Sequence, residues 1–421
     1  MSRTKKLGLQ ACCAMAIGGM IGGGIFSTLG VVIEIAGTYA WLSFVFAGLI
    51  ALLSGYSYCQ LALRYHEGGG AFTYLWEEKH HTAAGNLAWV LILGYVVTNA
   101  VYAFTFGEYV GYLLDLGPWF PRVSSIALLL LFVPLNLRGA ADSSIVEIIL
   151  VWFKLVVLTL VAAYGLLTWS PEMLAQGAGA SSPLGALYGA ATIFMAYEGF
   201  QLLLYDYDDI EDVERTLPRA VLASVIVVVA VYVLVSIGTT SLVGAERIIQ
   251  QKEVAIALAG EAAFGTFGLV LVTIAAAFST GSAVNSTLFA TARLGKIVSN
   301  HKQLPRFFSH TNSHDVPDHA VIALGMSAAL LSAIGSFSSL VEAASLAFLV
   351  TFTVVNSVAF LEHAGHRTLT GCGVICGIGA VGALCWRLAH TAPASLVVLA
   401  GTALVVFVGR PLVLNALSRA R

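Results

Sequence analysis

A run of three glycines in the middle of an apolar stretch could bind a carboxylate. Gly22, Gly23 and Gly24 follow Ile21 at the centre of the apolar run 7–36. Glycine favours an unwound backbone, and unwinding exposes N–H groups at the positive end of the half-helix that follows. Such unpaired backbone is tolerated at membrane depth only where it lines a cavity. The alternative is that these glycines only allow neighbouring helices to pack closely.

A second stretch, in the middle of the apolar run 182–206, contains a carboxylate. The stretch consists of Phe194, Met195, Ala196, Tyr197, Glu198 and Gly199. An ionisable group at mid-membrane is costly and indicates a functional site by default. Beside carbonyls exposed at the end of a half-helix, Glu198 would favour an ammonium group. The alternative is a structural Glu198, protonated or hydrogen-bonded to a neighbouring helix.

Lys154 is the only Lys or Arg that lies deep inside an apolar run, here 143–168. It is too far from the end of that run for its ammonium to reach water comfortably. Burial disfavours the charged form of lysine, so Lys154 could exchange a proton near neutral pH and couple a carrier to protons. The alternative is a permanently charged, structural Lys154 paired with carbonyls or a carboxylate.

A polar cluster interrupts the apolar run 263–296 at a similar depth, near the predicted coupling site. Its members are Ser279, Thr280 and Ser282, followed by Asn285 and Ser286. The alternative is that these hydroxyls bond back to carbonyls of their own helix.

Metal sites and enzyme chemistry have little support in the sequence. The six cysteines lie in or beside apolar runs and indicate neither a disulfide framework nor a zinc site. His310, His314 and His319 cluster between two apolar runs, where we expect a solvated loop and no metal. The acidic run 206–212 could hold Mg²⁺ against a diphosphate, as in intramembrane prenyltransferases. That chemistry needs a second Asp-rich run, which the sequence lacks.

The composition indicates that membrane helices position these residues. Of 421 residues, 58% are hydrophobic and only 10% are charged, with a mean hydropathy of +0.87. Soluble domains carry roughly 25% charged residues, so this chain has too little charge to cover a water-facing surface. The net charge of −2 argues against a broad basic surface and against nucleic acid as a partner.

Apolar runs separated by polar breaks predict twelve membrane spans. The predicted spans are 7–36, 40–63, 84–115, 122–138, 143–168, 182–206, 218–242, 263–296, 319–336, 340–361, 370–390 and 394–414. With the N-terminus in the cytoplasm, Arg122, Arg247, Lys252 and Arg387 are the only outer Lys or Arg residues among 21. The positive-inside rule therefore predicts a multi-pass protein of the plasma or inner membrane with both termini cytoplasmic.

Matching features five spans apart predict an inverted repeat. Spans 1 and 6 are both interrupted, and spans 3 and 8 are both unusually long. Paired interrupted helices point to a substrate site. We therefore predict an all-α membrane protein of about 12 transmembrane helices, with a five-plus-five inverted repeat and broken helices 1 and 6. Residues 1–421 form one domain, with repeats at 7–168 and 182–361 and two additional C-terminal helices at 370–414.

Several motifs together resemble the amino acid–polyamine–organocation superfamily of secondary transporters. The segment 21–26 is similar to the G-x-G-I-F of that family, and the segment 196–200 to its A-[YF]-x-G-[FW]. Other segments that resemble the family are 57–61, 68–74, 215–220, Ala292-Arg293, Leu304-Pro305 and Val316-Pro317. The likeness covers essentially the whole chain and implies the LeuT-like fold, with five plus five helices and two extra ones.

The resemblance also implies roles for the residues singled out above. The substrate carboxylate would meet the backbone at residues 22–24, and the substrate amine would meet carbonyls around 194–197. Lys154 falls where proton-coupled members carry a lysine in place of a sodium ion. Some exchangers of cationic amino acids carry an acidic residue at the position of Glu198.

These observations predict a secondary active amino acid transporter, not an enzyme, that works as a proton-coupled symporter by alternating access. Its expected partners are an amino acid or amine, protons and the lipid bilayer, with no cofactor and no nucleic acid. One alternative is an exchanger of cationic amino acids or polyamines without net proton coupling, which Glu198 favours. A remote alternative is the Mg²⁺-dependent intramembrane prenyltransferase.

Overall fold

The computed structural model is a bundle of helices. It describes residues 6–392 except 69, 140–143, 169 and 176–181, together with 401, 403–412 and 414. Its α-helices are α1 (Leu9–Ala36), α2 (Ala40–Tyr65), α3 (Gly70–Glu77), α4 (His81–Leu114), α5 (Phe120–Leu137), α6 (Ser144–Leu167), α7 (Pro171–Ala175), α8 (Pro183–Thr192), α9 (Val213–Val243), α10 (Ala245–Gln250), α11 (Ala255–Asn300), α12 (Asp318–Ile334), α13 (Phe337–Leu361) and α14 (Arg367–Thr391). A helix pairs its backbone N–H and C=O groups within one segment, as a lipid environment requires.

Eight helical segments of the described chain are long and apolar enough to cross a membrane. The first of them, Leu9–Tyr65, covers the predicted span 40–63 and all but the first two residues of the predicted span 7–36. The shorter apolar helix α12 corresponds to the predicted span 319–336. These helices support a multi-pass membrane protein. Most of the predicted span 394–414 lies outside the described residues.

The predicted interruption of span 1 is wrong for this conformation. α1 runs as one continuous helix from Leu9 to Ala36 and passes through Gly22, Gly23 and Gly24 without a break. Atoms of neighbouring segments occupy the space that Cβ atoms at the three glycines would need, so here the glycines serve close packing. The N–H groups of this turn are used inside α1 and are not exposed to a carboxylate.

The predicted interruption of span 6 is confirmed. α8 ends at Thr192, and two 3₁₀ segments follow, Phe194–Tyr197 and Phe200–Asp209, separated by Glu198 and Gly199. Glu198 is extended, and Gly199 has a φ of 128°, which glycine adopts readily because it has no Cβ. The second half of span 6 is therefore a 3₁₀ segment and not the α-helical continuation expected of an interrupted helix.

The long span 8 corresponds to α11, which is kinked near its start. Phe264 and Gly265 leave helical backbone angles, and Gly265 has a φ of 62°. The predicted span 263–296 thus begins at this kink, and α11 continues to Asn300. Its predicted counterpart in length, span 3, is the 34-residue α4.

α1 lies at the centre of the bundle. It packs against α6, α8, α9 and α11 and against both 3₁₀ segments of span 6. Every residue of α1 from Met20 to Ile33 is buried. α4 packs against α5, α11 and α13 and also contacts α1. The predicted site residues therefore lie in the interior that these helices share.

Candidate functional site

The backbone of the span 6 break lies directly against α1. A Cβ added to Gly19 would lie 3.0 Å from the Cα of Gly199. A Cβ on Gly199 would collide with the Gly19 backbone, and the positive φ of Gly199 also disfavours a side chain. Glycine at both positions therefore allows α1 and the break to meet backbone to backbone.

Glu198 lies in the break and is buried, with 1% of its surface exposed. Its Oε2 accepts a hydrogen bond from the Tyr102 hydroxyl at 3.1 Å, and its Oε1 accepts one from Nε2 of Gln201 at 3.2 Å. Gln201 also accepts from the N–H of Gly199 at 2.9 Å and donates to the Tyr95 hydroxyl at 3.1 Å. Two neutral donors thus hold the carboxylate, in the manner of the structural alternative for Glu198.

Tyr102 of α4 links the glycines of span 1 to Glu198. Its ring lies over Gly23, where an added Cβ would collide with it, and its hydroxyl reaches Glu198. One residue earlier, a Cβ on Gly22 would lie 2.6 Å from the Cβ of Ala283 in α11. Protein atoms therefore occupy the surface of α1 at these glycines.

Tyr232 of α9 joins α1 to the span 6 break. Its hydroxyl lies 2.8 Å from the Met20 carbonyl oxygen and 2.9 Å from the Ala196 carbonyl oxygen. A tyrosine hydroxyl carries one hydrogen, so it fully donates to one of these carbonyls at a time. A Cβ on Gly24 would collide with this hydroxyl. Glycine at position 24 therefore makes room for the contact.

Ser345 of α13 holds the start of the break. Its hydroxyl donates to the Thr192 carbonyl at 2.5 Å and accepts from the N–H of Met195 at 3.0 Å. Thr192 ends α8, and the end of a helix leaves carbonyl groups without partners in that helix. This one side chain therefore satisfies a carbonyl and an N–H at the interruption.

Lys154 and Ser279 both reach carbonyls of α1. Lys154 is 3% exposed, and its Nζ donates to the Gly18 carbonyl at 3.0 Å. The Ser279 hydroxyl of α11 donates to the Ile21 carbonyl at 2.9 Å. The structure thus brings the predicted coupling lysine and the first member of the predicted polar cluster to neighbouring carbonyls of one helix.

The remaining members of the polar cluster make other contacts. The Thr280 hydroxyl donates to the Ala276 carbonyl of its own helix at 2.7 Å, as the alternative interpretation expects. Asn285 accepts a hydrogen bond from Asn136 of α5 at 2.8 Å. Ser282 is half-buried. Of the contacts described here, the one with α1 is made by Ser279.

A cavity of about 810 Å³ opens at the end of the bundle where α1 begins. It is lined by the loop after α2, α3, the second 3₁₀ segment of span 6 and α11, and it reaches Gly19 of α1. Asp206 and Arg293, which both line it, approach each other to 4.0 Å. None of the predicted substrate-binding residues lines this cavity. The cavity therefore ends one turn before the glycines of span 1.

The opposite end of α1 is covered by the 3₁₀ segment Lys252–Val254. This segment lies so close that a Cβ on Gly30 would collide with the Lys252 backbone. The Lys252 ammonium also pairs with Glu34 at 2.8 Å. Among the described residues, a cavity therefore reaches α1 near its start, whereas the 3₁₀ segment Lys252–Val254 covers α1 near its end.

His310, from the connection after α11, meets Asp318 and His319 at the start of α12, with their ligand atoms within 4.8 Å of one another. His310 Nδ1 lies 2.7 Å from Asp318 Oδ1, and the rings of His310 and His319 stack with centroids 4.1 Å apart. These three side chains form a hydrogen-bonded and stacked cluster, and His314 is not among its members.

Tyr102, Tyr232 and Ser345 were not singled out from the sequence. A tyrosine hydroxyl buried in an apolar span needs a hydrogen-bond partner, so the sequence could have indicated that the two tyrosines make polar contacts. The sequence gives no such indication for Ser345, since a serine inside a helix often bonds back to its own backbone.

Comparison with known proteins adds a separate line of support. The sequence matches the family described as amino acid permease over residues 7–409. The inner membrane transport protein YbaT of Escherichia coli is 29% identical over 87% of this chain and 86% of its own length. The serine/threonine exchanger SteT of Bacillus subtilis is 26% identical over 74% of this chain and 72% of its own. Asc-type amino acid transporter 1 of Homo sapiens is 26% identical over 85% of this chain and 69% of its own.

Proposed function

We propose that this chain, which belongs to the amino acid permease family, is a secondary active transporter that moves amino acids by alternating access. The family consists of transporters and not enzymes, so the prenyltransferase alternative is set aside. The observation that carries the proposal is the break at Glu198 and Gly199, which lies backbone to backbone against α1. Carbonyls freed at such a break can bind the amine of a substrate.

The proposed substrate site lies between the glycine turn of α1 and the break. Its residues are Ile21, Gly22, Gly23 and Gly24 on one side and Phe194, Met195, Ala196, Tyr197, Glu198 and Gly199 on the other. All are now buried against neighbouring segments, so substrate binding requires α1 to open at its glycines. Glycine is destabilising in a helix by about 1 kcal/mol relative to alanine, which makes this turn the least costly place to open. The N–H groups released there would bind the carboxylate.

We further propose that the chain has the LeuT-like five-plus-five fold, with repeats at 7–168 and 182–361 and two further helices at 370–414. Both termini would lie in the cytoplasm. The open cavity at the start of α1 would then face the cytoplasm, and this conformation would be the inward-facing one.

Proton coupling is proposed to reside at Lys154. Its ammonium on α6 donates a hydrogen bond to α1, and the Ser279 hydroxyl on α11 donates another to the same helix. A neutral amine donates a weaker hydrogen bond than an ammonium does. Loss of the Lys154 proton would therefore weaken the bond to Gly18 and ease the opening of α1.

Exchange without net proton coupling is the second candidate. A relative that is 26% identical bears the name serine/threonine exchanger. Glu198 also places a carboxylate beside the proposed amine site, where it would favour a cationic substrate. Either observation is compatible with the same fold.

Uptake of labelled amino acids and amines into proteoliposomes distinguishes these functions. Accumulation that requires an inward proton gradient supports symport. Uptake that occurs only into vesicles preloaded with unlabelled substrate supports exchange. Failure to transport any member of the panel under both conditions would contradict the proposal.

Glu198→Gln should weaken the binding of cationic substrates more than the binding of neutral ones. The amide can still accept from Gln201 and can donate to the Tyr102 hydroxyl, so the hydrogen-bonded network is retained while the charge is lost. A hydrogen bond to a charged group contributes about 1.5–3 kcal/mol. We therefore expect arginine to lose roughly tenfold or more in affinity relative to alanine, measured by competition against a labelled substrate.

Glu108→Gln provides the matched control, because Glu108 is a half-buried carboxylate of α4 that lies outside the proposed site. It should leave the ratio of arginine to alanine affinity unchanged. If Glu198→Gln lowers the affinity for arginine and for alanine equally, Glu198 has only a structural role.

A further inference from the structure

We propose that the Tyr232 hydroxyl occupies the position of the substrate amine in this conformation and is displaced when a substrate binds. The inference rests on the proposed transport function and adds the side chain that competes for its amine subsite. Tyr232 belongs to α9, outside the two segments that form the proposed substrate site.

Two carbonyls converge on the Tyr232 hydroxyl from the two sides of the proposed site. The carbonyl oxygen of Met20 in α1 lies 2.8 Å from the hydroxyl oxygen, and that of Ala196 in the first 3₁₀ segment lies 2.9 Å from it. The hydroxyl has one hydrogen for these two acceptors, whereas an ammonium has three. A substrate ammonium at this point would donate to both carbonyls at once, through charge-assisted bonds that are shorter and stronger than neutral ones. The subsite therefore suits an ammonium better than its present occupant.

The ring of Tyr232 is directed at this point by its neighbours. Its centroid lies 5.3 Å from that of Phe44 in α2 and 5.3 Å from that of Tyr197 in the break. The residue is fully buried, and the absence of a Cβ at Gly24 leaves space for the hydroxyl. Packing from three segments thus holds the hydroxyl at this point in the present conformation.

In the empty carrier, the Tyr232 hydroxyl would keep the proposed substrate site closed. The Tyr232 hydroxyl ties α1 to the break while no substrate is present, and a substrate amine would make the same connection with its own donors. A molecule without a free amine would lack the donors needed to replace the hydroxyl. Tyr232 would therefore act as a specificity-determining residue for amines.

Tyr232→Phe removes the competing hydroxyl and keeps the ring. We expect an amino acid substrate to bind about threefold to tenfold more tightly, as judged from the net value of one hydrogen bond. A purely structural Tyr232 predicts no tighter binding, so the affinity would be unchanged or weakened. The Kd is measured on purified protein with a labelled amino acid found in the uptake panel, and the N-acetyl derivative of that amino acid should compete poorly with both proteins.

Tyr109→Phe is the matched control. Tyr109 is also buried, and its hydroxyl contacts another α1 carbonyl, that of Phe26, at 3.4 Å. Because this carbonyl lies away from the break, Tyr109→Phe should leave the Kd unchanged.

Unchanged or weaker binding by Tyr232→Phe overturns the inference while leaving the transport proposal intact. If neither the wild-type protein nor the variant binds any amino acid, the proposed function fails and the inference fails with it. A structure of the wild-type protein with substrate gives a test that does not depend on folding of a variant. The Tyr232 hydroxyl should then lie beyond hydrogen-bonding distance of the Met20 or the Ala196 carbonyl, and retention of both contacts overturns the inference.

Discussion

Lys154→Ala protein should exchange substrate across a membrane but no longer accumulate it under a proton gradient. In the structure the Lys154 ammonium is buried and bonds to the Gly18 carbonyl of α1. Alanine cannot hold α1 in this way and cannot carry a proton. The opening of α1 would then no longer depend on proton binding, whereas the substrate site would remain.

The size of the expected effect follows from the energy of the gradient. A difference of one pH unit supplies about 1.4 kcal/mol for each proton, which corresponds to about tenfold accumulation by a one-proton symporter. Lys154→Ala should reduce this accumulation to equal concentrations on the two sides. Uptake into proteoliposomes at fixed internal pH, with the external pH varied, measures it.

Two further variants test whether the effect comes from the charge of Lys154. Lys154→Met keeps most of the side-chain volume without the charge, so it should behave like Lys154→Ala if charge is what matters. Lys252→Ala removes another lysine that contacts α1, through Glu34 at its far end, and should retain full accumulation. Concentration of substrate by Lys154→Ala under a proton gradient would show that coupling resides elsewhere.

The interruption of span 6 could be predicted from sequence because its cause is local. A mid-span carboxylate at Glu198 followed by Gly199 is incompatible with an ordinary lipid-facing helix. The positive φ of Gly199 is a property of that residue itself. The partners that stabilise the break, Tyr102 and Ser345, come from α4 and α13 and were not accessible to local reasoning.

The state of span 1 could not be predicted from its glycines, because glycine allows two opposite outcomes. A glycine turn can unwind, or it can remain helical and accept a close neighbour. The choice depends on Tyr102, Tyr232 and Ala283, which come from α4, α9 and α11 and fill the space over residues 22–24. Similarly, the burial of Lys154 was predictable from the length of its apolar run, but its acceptor on α1 was not.

Gly23→Leu should abolish stabilisation of the protein by amino acids while leaving it folded. A leucine at this position would need the space that the Tyr102 ring occupies. Overpacking of a core costs typically 1–3 kcal/mol, and part of this is offset because leucine favours a helix over glycine by nearly 1 kcal/mol. The variant should therefore still fold, with a stability lower by no more than about 1–3 kcal/mol. When α1 opens, the leucine side chain would fill the space that the substrate carboxylate needs at the glycine turn.

Thermal unfolding with and without each amino acid measures this effect, and two variants separate its causes. Gly379→Leu is the matched control, because a Cβ at that exposed glycine of α14 meets no atom within 4 Å. It should keep the full ligand-induced shift in melting temperature. Tyr102→Phe removes only the hydroxyl donor to Glu198 and tests whether the loss acts through that carboxylate. If Gly23→Leu abolishes the shift and Tyr102→Phe preserves most of it, the leucine acts at the glycine turn and not through the Tyr102–Glu198 hydrogen bond. An undiminished shift in Gly23→Leu would mean that the carboxylate binds elsewhere, since a leucine at this turn would fill the proposed carboxylate position.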